Sequence, residues 1–303
     1  MPSRSCHHLS ATTVALGRRH VQIDELTVPG KGPYGITAGP DGAVWVTLVH
    51  SGQIARISGG TRVFDLAPGC GPAVVAPGPD GALWFSRLHD HRIGRITTDG
   101  TATSVELPPE CGPYGITAGP DGAMWFTEMN TDRVGRLADG AIEEFPLGVK
   151  GSYPSTIVTG PDGALWLTLN QADTITRVTT GGAVTHFALP TEKAAPVGIT
   201  ADDQAVWFVE IGAGQVGRVT PDGEVTEFPL PDREARPHAI VPDGDGGCWF
   251  TEWGANRVGH ITADGEFDHH PLPTPGSEPH GLTVLDDEVW VALETGKVAT
   301  LRP

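Results

Sequence analysis

Glu278, His280 and Glu294 are the residues of this chain best suited to metal and acid–base chemistry. Glu278 and His280 lie two positions apart across Pro279, so in an extended strand their side chains share a face. Two carboxylates with water suit Mg²⁺, which keeps several waters and rarely takes an all-protein cage, whereas Ca²⁺ wants more ligands. A neutral imidazole beside them is a fitting general base near pH 7. The metal would polarise a carbonyl and stabilise developing negative charge. No Ser or Cys stands in a recognisable nucleophile setting, which favours proton abstraction over an acyl-enzyme route.

These residues need a scaffold, and the scaffold is a repeat. Trp45, Trp84, Trp125, Trp166, Trp207, Trp249 and Trp290 recur every 39–42 residues. A Gly-Pro-Asp-Gly turn (39–42, 78–81, 119–122, 160–163) or a degenerate form of it precedes each. Before each turn runs a short apolar strand opened by a proline: Pro33, Pro72, Pro113, Pro154, Pro196, Pro237 and Pro279. Two further strands follow each Trp, and no window carries a helical period. Four short strands in about 40–45 residues describe a propeller blade. The expected fold is all-β: a seven-bladed β-propeller with four antiparallel strands per blade, formed as one domain by residues 21–303. The last repeat ends without a fourth strand, while residues 21–28 read as a strand with no blade of their own. They are expected to complete the last blade, which removes an open sheet edge.

Antiparallel pairing puts the residue after each opening proline on one rim with the end of the second strand. Those rim positions are mixed in blades one to five, where Tyr34 and Tyr114 stand among Ala73, Ser155 and Val197. In blades six and seven they read His238, Glu252, Trp253, Glu278, His280 and Glu294. Repeats that break their own rule are where function is grafted onto a fold. Taken singly, each would be an idle group on a solvated rim; their convergence on adjacent blades argues for a site. Glu128, Glu210 and Glu252 share a Trp-Phe-X-Glu pattern and read as scaffold or rim charges. The remaining histidines, His50 among them, fall in the leader, turns or outer strands and receive no role; His269 and His270 read as surface.

The formal net charge of −17 repels phosphate backbones and anionic membranes, so neither nucleic acid nor a membrane surface is an expected partner. No apolar run is long enough to span a bilayer. Residues 1–20, with Arg4, Arg18 and Arg19 around a broken apolar stretch, read as a disordered leader rather than a signal peptide. Cys70 and Cys111 sit at equivalent repeat positions and read as reduced thiols of a cytoplasmic protein rather than a disulfide. With its strand edges closed, the chain is expected to be a monomer.

At these residues the sequence resembles the virginiamycin B lyases, also called streptogramin B lyases. The resemblance lies in Gly32-Pro33-Tyr34-Gly35-Ile36-Thr37, Arg236-Pro237-His238-Ala239-Ile240, Trp249-Phe250-Thr251-Glu252-Trp253-Gly254-Ala255-Asn256 and Glu278-Pro279-His280-Gly281. It implies Mg²⁺-dependent β-elimination that opens a cyclic depsipeptide antibiotic at its threonyl ester, and so antibiotic resistance. By position it implies His280 as general base, Glu278 and Glu294 as Mg²⁺ ligands, His238 and Tyr34 as substrate-binding residues and Trp253 as an apolar wall. Blade two departs, with Ala73 after its proline and Arg87 on its rim. Two other classes remain open: a metal-dependent propeller lactonase or esterase, which would add water to its product, and a non-catalytic binding propeller.

Overall fold

The computed structural model describes residues 21–302. The expectation for residues 1–20 lies outside them. Seven four-stranded antiparallel sheets form, six of them ordered along the chain from the inside outward. Blade 1 comprises β2 (Pro33–Ala38), β3 (Val44–Leu48), β4 (Gln53–Ile57) and β5 (Thr61–Asp65). Blade 6 comprises β22 (Pro237–Pro242), β23 (Cys248–Glu252), β24 (Arg257–Ile261) and β25 (Phe267–Pro271). Blade 7 is built from β26 (Pro279–Leu285), β27 (Glu288–Leu293) and β28 (Lys297–Arg302), with β1 (Gln22–Thr27) as its fourth strand.

The recurrent turn explains the recurrent tryptophan. In blade 1 the Asp41 carboxylate accepts the Trp45 indole N–H at 3.0 Å and the Arg56 Nε–H at 2.6 Å. The Trp45 ring lies on Phe64, with centroids 5.6 Å apart. Asp80, Asp121 and Asp162 bind their own Trp and Arg in the same way. The clamp thus ties turn, second strand and third strand of a blade together. Blade 6 alters it: His260 replaces the arginine and bonds Asp243 at 2.8 Å, and His270 stands where other blades stack phenylalanine.

The core sits between blades. One cluster joins Val197, Trp207 and Val209 of blade 5 to Ile240, Cys248 and Phe250 of blade 6. Another joins Val44, Val46 and Leu48 of blade 1 to Ala292 and Val298 of blade 7. Each fully buried aromatic or large aliphatic side chain contributes about 1.5–3 kcal/mol. The third strand admits this packing through glycine, since a Cβ on Gly135 would stand 2.1 Å from the Phe126 ring. Cys70, Cys111 and Cys248 are buried free thiols, and burial pushes the Cys111 thiol up to about 12.

Ring closure follows the expectation. β1 pairs with β28 from Gln22↔Arg302 to Thr27↔Lys297. The buried Glu25 carboxylate fastens it, accepting from Lys297 Nζ at 2.8 Å and from the Thr274 backbone N–H at 3.0 Å.

Candidate functional site

All seven inner strands carry the same irregularity. Between Pro279 and Leu282 three steps on β26 face two steps on β27, and the other six blades repeat this bulge. A bulge re-aims the side chain it contains. In three blades the residue after the proline, Tyr34, Tyr114 or His238, lines the central cavity. The residue before each proline is left-handed throughout: Gly32, Gly71 and Gly112 in three blades, but Tyr153, Ala195, Arg236 and Glu278 in the other four. Glu278 therefore stands at φ 54° on a position that favours glycine. Side chains held in such backbone concentrate at functional sites.

His238, His280 and Tyr34 come together over the channel. The His238 and His280 rings meet edge to face with centroids 4.7 Å apart. Tyr34 lies 4.4 Å from His280 and 6.2 Å from His238. The Tyr34 and Tyr114 hydroxyls share a hydrogen bond of 2.7 Å. Below them the inner strands of all seven blades line a cavity of about 150 Å³. Two larger clefts, of about 610 and 620 Å³, lie among turn residues at the other rim and include none of the candidate residues.

Thr251 of β23 positions His280 from the neighbouring blade. Its hydroxyl accepts the Ala239 backbone N–H at 3.0 Å and donates to the His280 carbonyl at 2.8 Å. On its other side His280 Nε2 bonds Glu294 Oε2. An ionised carboxylate only accepts, so Nε2 carries the proton and Nδ1 is left bare. Six buried side-chain polar atoms have no hydrogen-bond partner among the described residues, and three of them are His280 Nδ1, His238 Nδ1 and Trp253 Nε1. Native proteins satisfy nearly all such atoms, so the orphaned nitrogens of the touching His238 and His280 rings suit a polar ligand.

Burial sets the protonation states. It lowers the pKa of His280, and the charges of Glu294 and Glu278 restore it only in part. It drives His238 down to about 3, helped by His280, so this ring is neutral in any working range. It raises both tyrosines, Tyr114 well above its ordinary value. The two histidines are therefore neutral hydrogen-bonding rings, not a cationic patch.

Glu278 lies just before β26 and Glu294 just after β27, and the Glu294 backbone N–H donates to the Glu278 carbonyl at 3.1 Å. Both carboxylates lie near enough to His280 to favour its charged form. No group of three or more His, Cys, Asp or Glu side chains is arranged to hold a metal among the described residues. A cation here would have two carboxylates and would keep most of its water, the coordination that Mg²⁺ favours.

Trp253 opens a single 3₁₀ turn, Trp253–Ala255, with the Arg236 guanidinium 5.8 Å from its ring. It shares the blade-6 end of the rim, but the ring contacts that join Tyr34, His238 and His280 do not include it. Glu252 departs from the expected arc. It is fully buried beneath the rim, bonded to Arg257 Nε at 2.8 Å and to His269 Nδ1 at 2.6 Å. Glu128 and Glu210 are likewise buried rather than solvated, and burial pushes Glu210 up to about 8. His269, read as surface, is thus the partner of a buried carboxylate.

Three residues of the site escaped the sequence reading. His50 bonds Glu294 Oε1 at 2.6 Å from the turn after β3. Tyr153 is a large side chain 42% exposed on this rim, close enough to Tyr34 and Tyr114 to act on both hydroxyls. Thr251 belongs to a Thr or Ser found at this place in several blades and so carries no sign of special use.

Comparison with known proteins follows the same lines. Residues 21–301 match the Virginiamycin B lyase family. A virginiamycin B lyase of Saccharopolyspora erythraea is 66% identical over 44 residues, which are 14% of this chain and only 15% of that relative. A solved streptogramin B lyase is 42% identical with a TM-score of 0.90, over 93% of this chain and 97% of the other. A catalytically inactive histidine-to-alanine virginiamycin B lyase from Staphylococcus aureus, solved with quinupristin, is 41% identical with a TM-score of 0.91, over 94% of this chain and all of the other. With the match running from the first strand of the ring to the last, this chain belongs to the virginiamycin B lyase family.

Proposed function

We propose that this protein linearises type B streptogramins by β-elimination at the threonyl ester, with His280 as the base. One observation carries the reading: a buried imidazole whose Nε2 is held by a carboxylate and whose Nδ1 has no hydrogen-bond partner among the described residues. His280 Nδ1 takes the threonine α-proton. The electrons of that C–H bond form the Cα–Cβ double bond, the Cβ–O bond breaks, and the carboxylate leaves with its electron pair. No water enters, so the product is an isomer of the substrate. Burial favours the neutral imidazole that the step requires.

His238 and Tyr34 hold the substrate beside the scissile ester, and Trp253 supplies an apolar wall. A cavity of about 150 Å³ is too small for a cyclic depsipeptide, so the ring rests on the rim and one group projects inward. Glu278 and Glu294 would hold Mg²⁺, which would supply polarisation of the ester carbonyl and stabilisation of the developing negative charge. A family member from S. aureus solved with quinupristin supports the substrate class. We further propose that the protein acts as a cytoplasmic monomer that confers resistance.

The test is incubation with quinupristin and Mg²⁺, with and without EDTA, followed by mass spectrometry. A ring-opened product of unchanged mass, lost with EDTA and in His280→Ala, is expected. A product heavier by one water would replace elimination with hydrolysis.

A further inference from the structure

We propose that His50 is a positioning residue for the catalytic pair. It crosses from blade 1 to hold the Glu294 carboxylate in the one orientation that fixes the His280 tautomer. The inference rests on the lyase reading for His280 and adds a residue to it.

The Glu294 carboxylate lies between two imidazoles. Its Oε1 accepts from His50 Nε2 at 2.6 Å and its Oε2 from His280 Nε2. A carboxylate held at one oxygen can rotate about its terminal bond; held at both, it cannot. Its side chain is 22% exposed, so without His50 water would compete for Oε1. The orientation of Glu294 in turn decides which His280 nitrogen carries the proton. His50 therefore acts on the reacting nitrogen through one carboxylate, without touching it.

His50 is placed for this by its backbone. Its amide donates to the Lys31 carbonyl at 3.2 Å, and that of Val49 donates to Gly32 at 2.9 Å. The ring lies over Gly32, whose φ is +68° and where a Cβ would stand 2.5 Å from His50 Cδ2. Blades 2 and 3 repeat this cradle, with His89 over Gly71 and Asn130 over Gly112. Their polar atoms bond within their own connecting loops: His89 Nδ1 with the Gly69 carbonyl at 3.2 Å, and Asn130 Nδ2 with the Glu110 carbonyl at 2.9 Å. Of these three cradled side chains, His50 alone bonds across a blade seam to a carboxylate. The same local structure has been turned from fastening a loop to orienting an acid.

His89→Ala is the matched control, because it removes an equivalent imidazole over an equivalent glycine away from the site. With quinupristin, His50→Ala is expected to lower kcat roughly tenfold with KM within about twofold. His50→Gln, which keeps a donor, should recover most of the loss, and His89→Ala should leave kcat unchanged. In the metal-free proteins, nitrogen-15 spectra of the imidazoles should show His280 protonated at Nε2 in the wild type and in His89→Ala, and mixed in His50→Ala. A wild-type kcat or a single His280 tautomer in His50→Ala would overturn the proposal, as would an equal loss in His89→Ala. If the wild-type protein turned over no streptogramin, the lyase reading would fail, while the nitrogen spectra would still decide whether His50 sets the His280 tautomer.

Discussion

Replacing Glu210 by glutamine should cost little or slightly destabilise this protein at pH 5 and stabilise it at pH 8. Glu210 is fully buried at the end of its strand, with Oε2 accepting from Gln215 at 2.7 Å and Oε1 without a partner. Burial pushes its carboxyl up to about 8 against an ordinary 4.5. A group whose folded pKa is raised contributes most below its unfolded pKa, and that contribution is lost as the pH climbs through the folded value. From pH 5 to pH 8 the loss is about 4 kcal/mol, three pH units at about 1.4 kcal/mol each. Glutamine has nearly the same shape and no proton to take up. Its amide leaves one polar atom short of a partner, which costs about 1–3 kcal/mol at any pH. The variant should therefore be near neutral or slightly destabilised at pH 5 and more stable by roughly 1–3 kcal/mol at pH 8. Urea unfolding of both proteins at the two pH values isolates the term, because the other groups cancel in the difference. A constant difference between pH 5 and pH 8 would mean that Glu210 is ionised in the fold and refute the reasoning. Glu252 occupies the same repeat position but is paired with Arg257 and His269. Glu252→Gln should instead lower stability by about 3 kcal/mol, since it takes the buried carboxylate away from the partly buried Arg257 guanidinium and His269 ring.

Thr251→Val should reduce turnover and cost about 1–3 kcal/mol, because the Ala239 amide and the His280 carbonyl lose their shared hydroxyl. Val209 fills the same place in blade 5, so a folded protein with a displaced His280 is expected; unchanged kcat would remove Thr251 from the site. Glu25→Ala should lower the melting temperature by cutting the bonds to Lys297 and Thr274, a loss of about 1–3 kcal/mol readable by calorimetry. Acid should unfold the ring from about pH 4 downward. Burial works against the ionised forms of Asp41, Asp80, Asp121 and Asp162, but the Trp and Arg hydrogen bonds hold their carboxyls below the usual range. Their contribution is present above the unfolded pKa and lost as the pH falls through the folded one. A circular-dichroism titration flat to pH 2 would contradict this.

The fold was legible because its signals are periodic and local. Trp, the Asp turn and the opening proline recur once per blade, and the clamp of Asp41, Trp45 and Arg56 gives that periodicity a physical cause. His238 and His280 were legible for a related reason: they break the rule at a position whose direction the repeat defines. Glu252 misled because the residues after each Trp diverge in depth, Glu252 turning under the rim and Glu294 staying on it. His50 was invisible because its partner lies 244 residues away, across the seam that closes the ring. No periodicity of a single blade encodes a contact between the first blade and the last.

The pairing of β1 with β28 has a consequence for when this protein becomes functional. The proposed base His280, both candidate metal ligands and the closing strand all belong to blade 7 or its edges. During synthesis β1 must remain unpaired until the last strand is made, with the rest of the ring between them. Such long-range closure is entropically slow and comes late in folding. Six blades can stack in order with no active centre among them, and the site assembles in the step that joins the chain ends. Turnover is thus a direct reporter of ring closure: a chain shortened by the residues of β28 could keep most of its tryptophan packing and yet be inert.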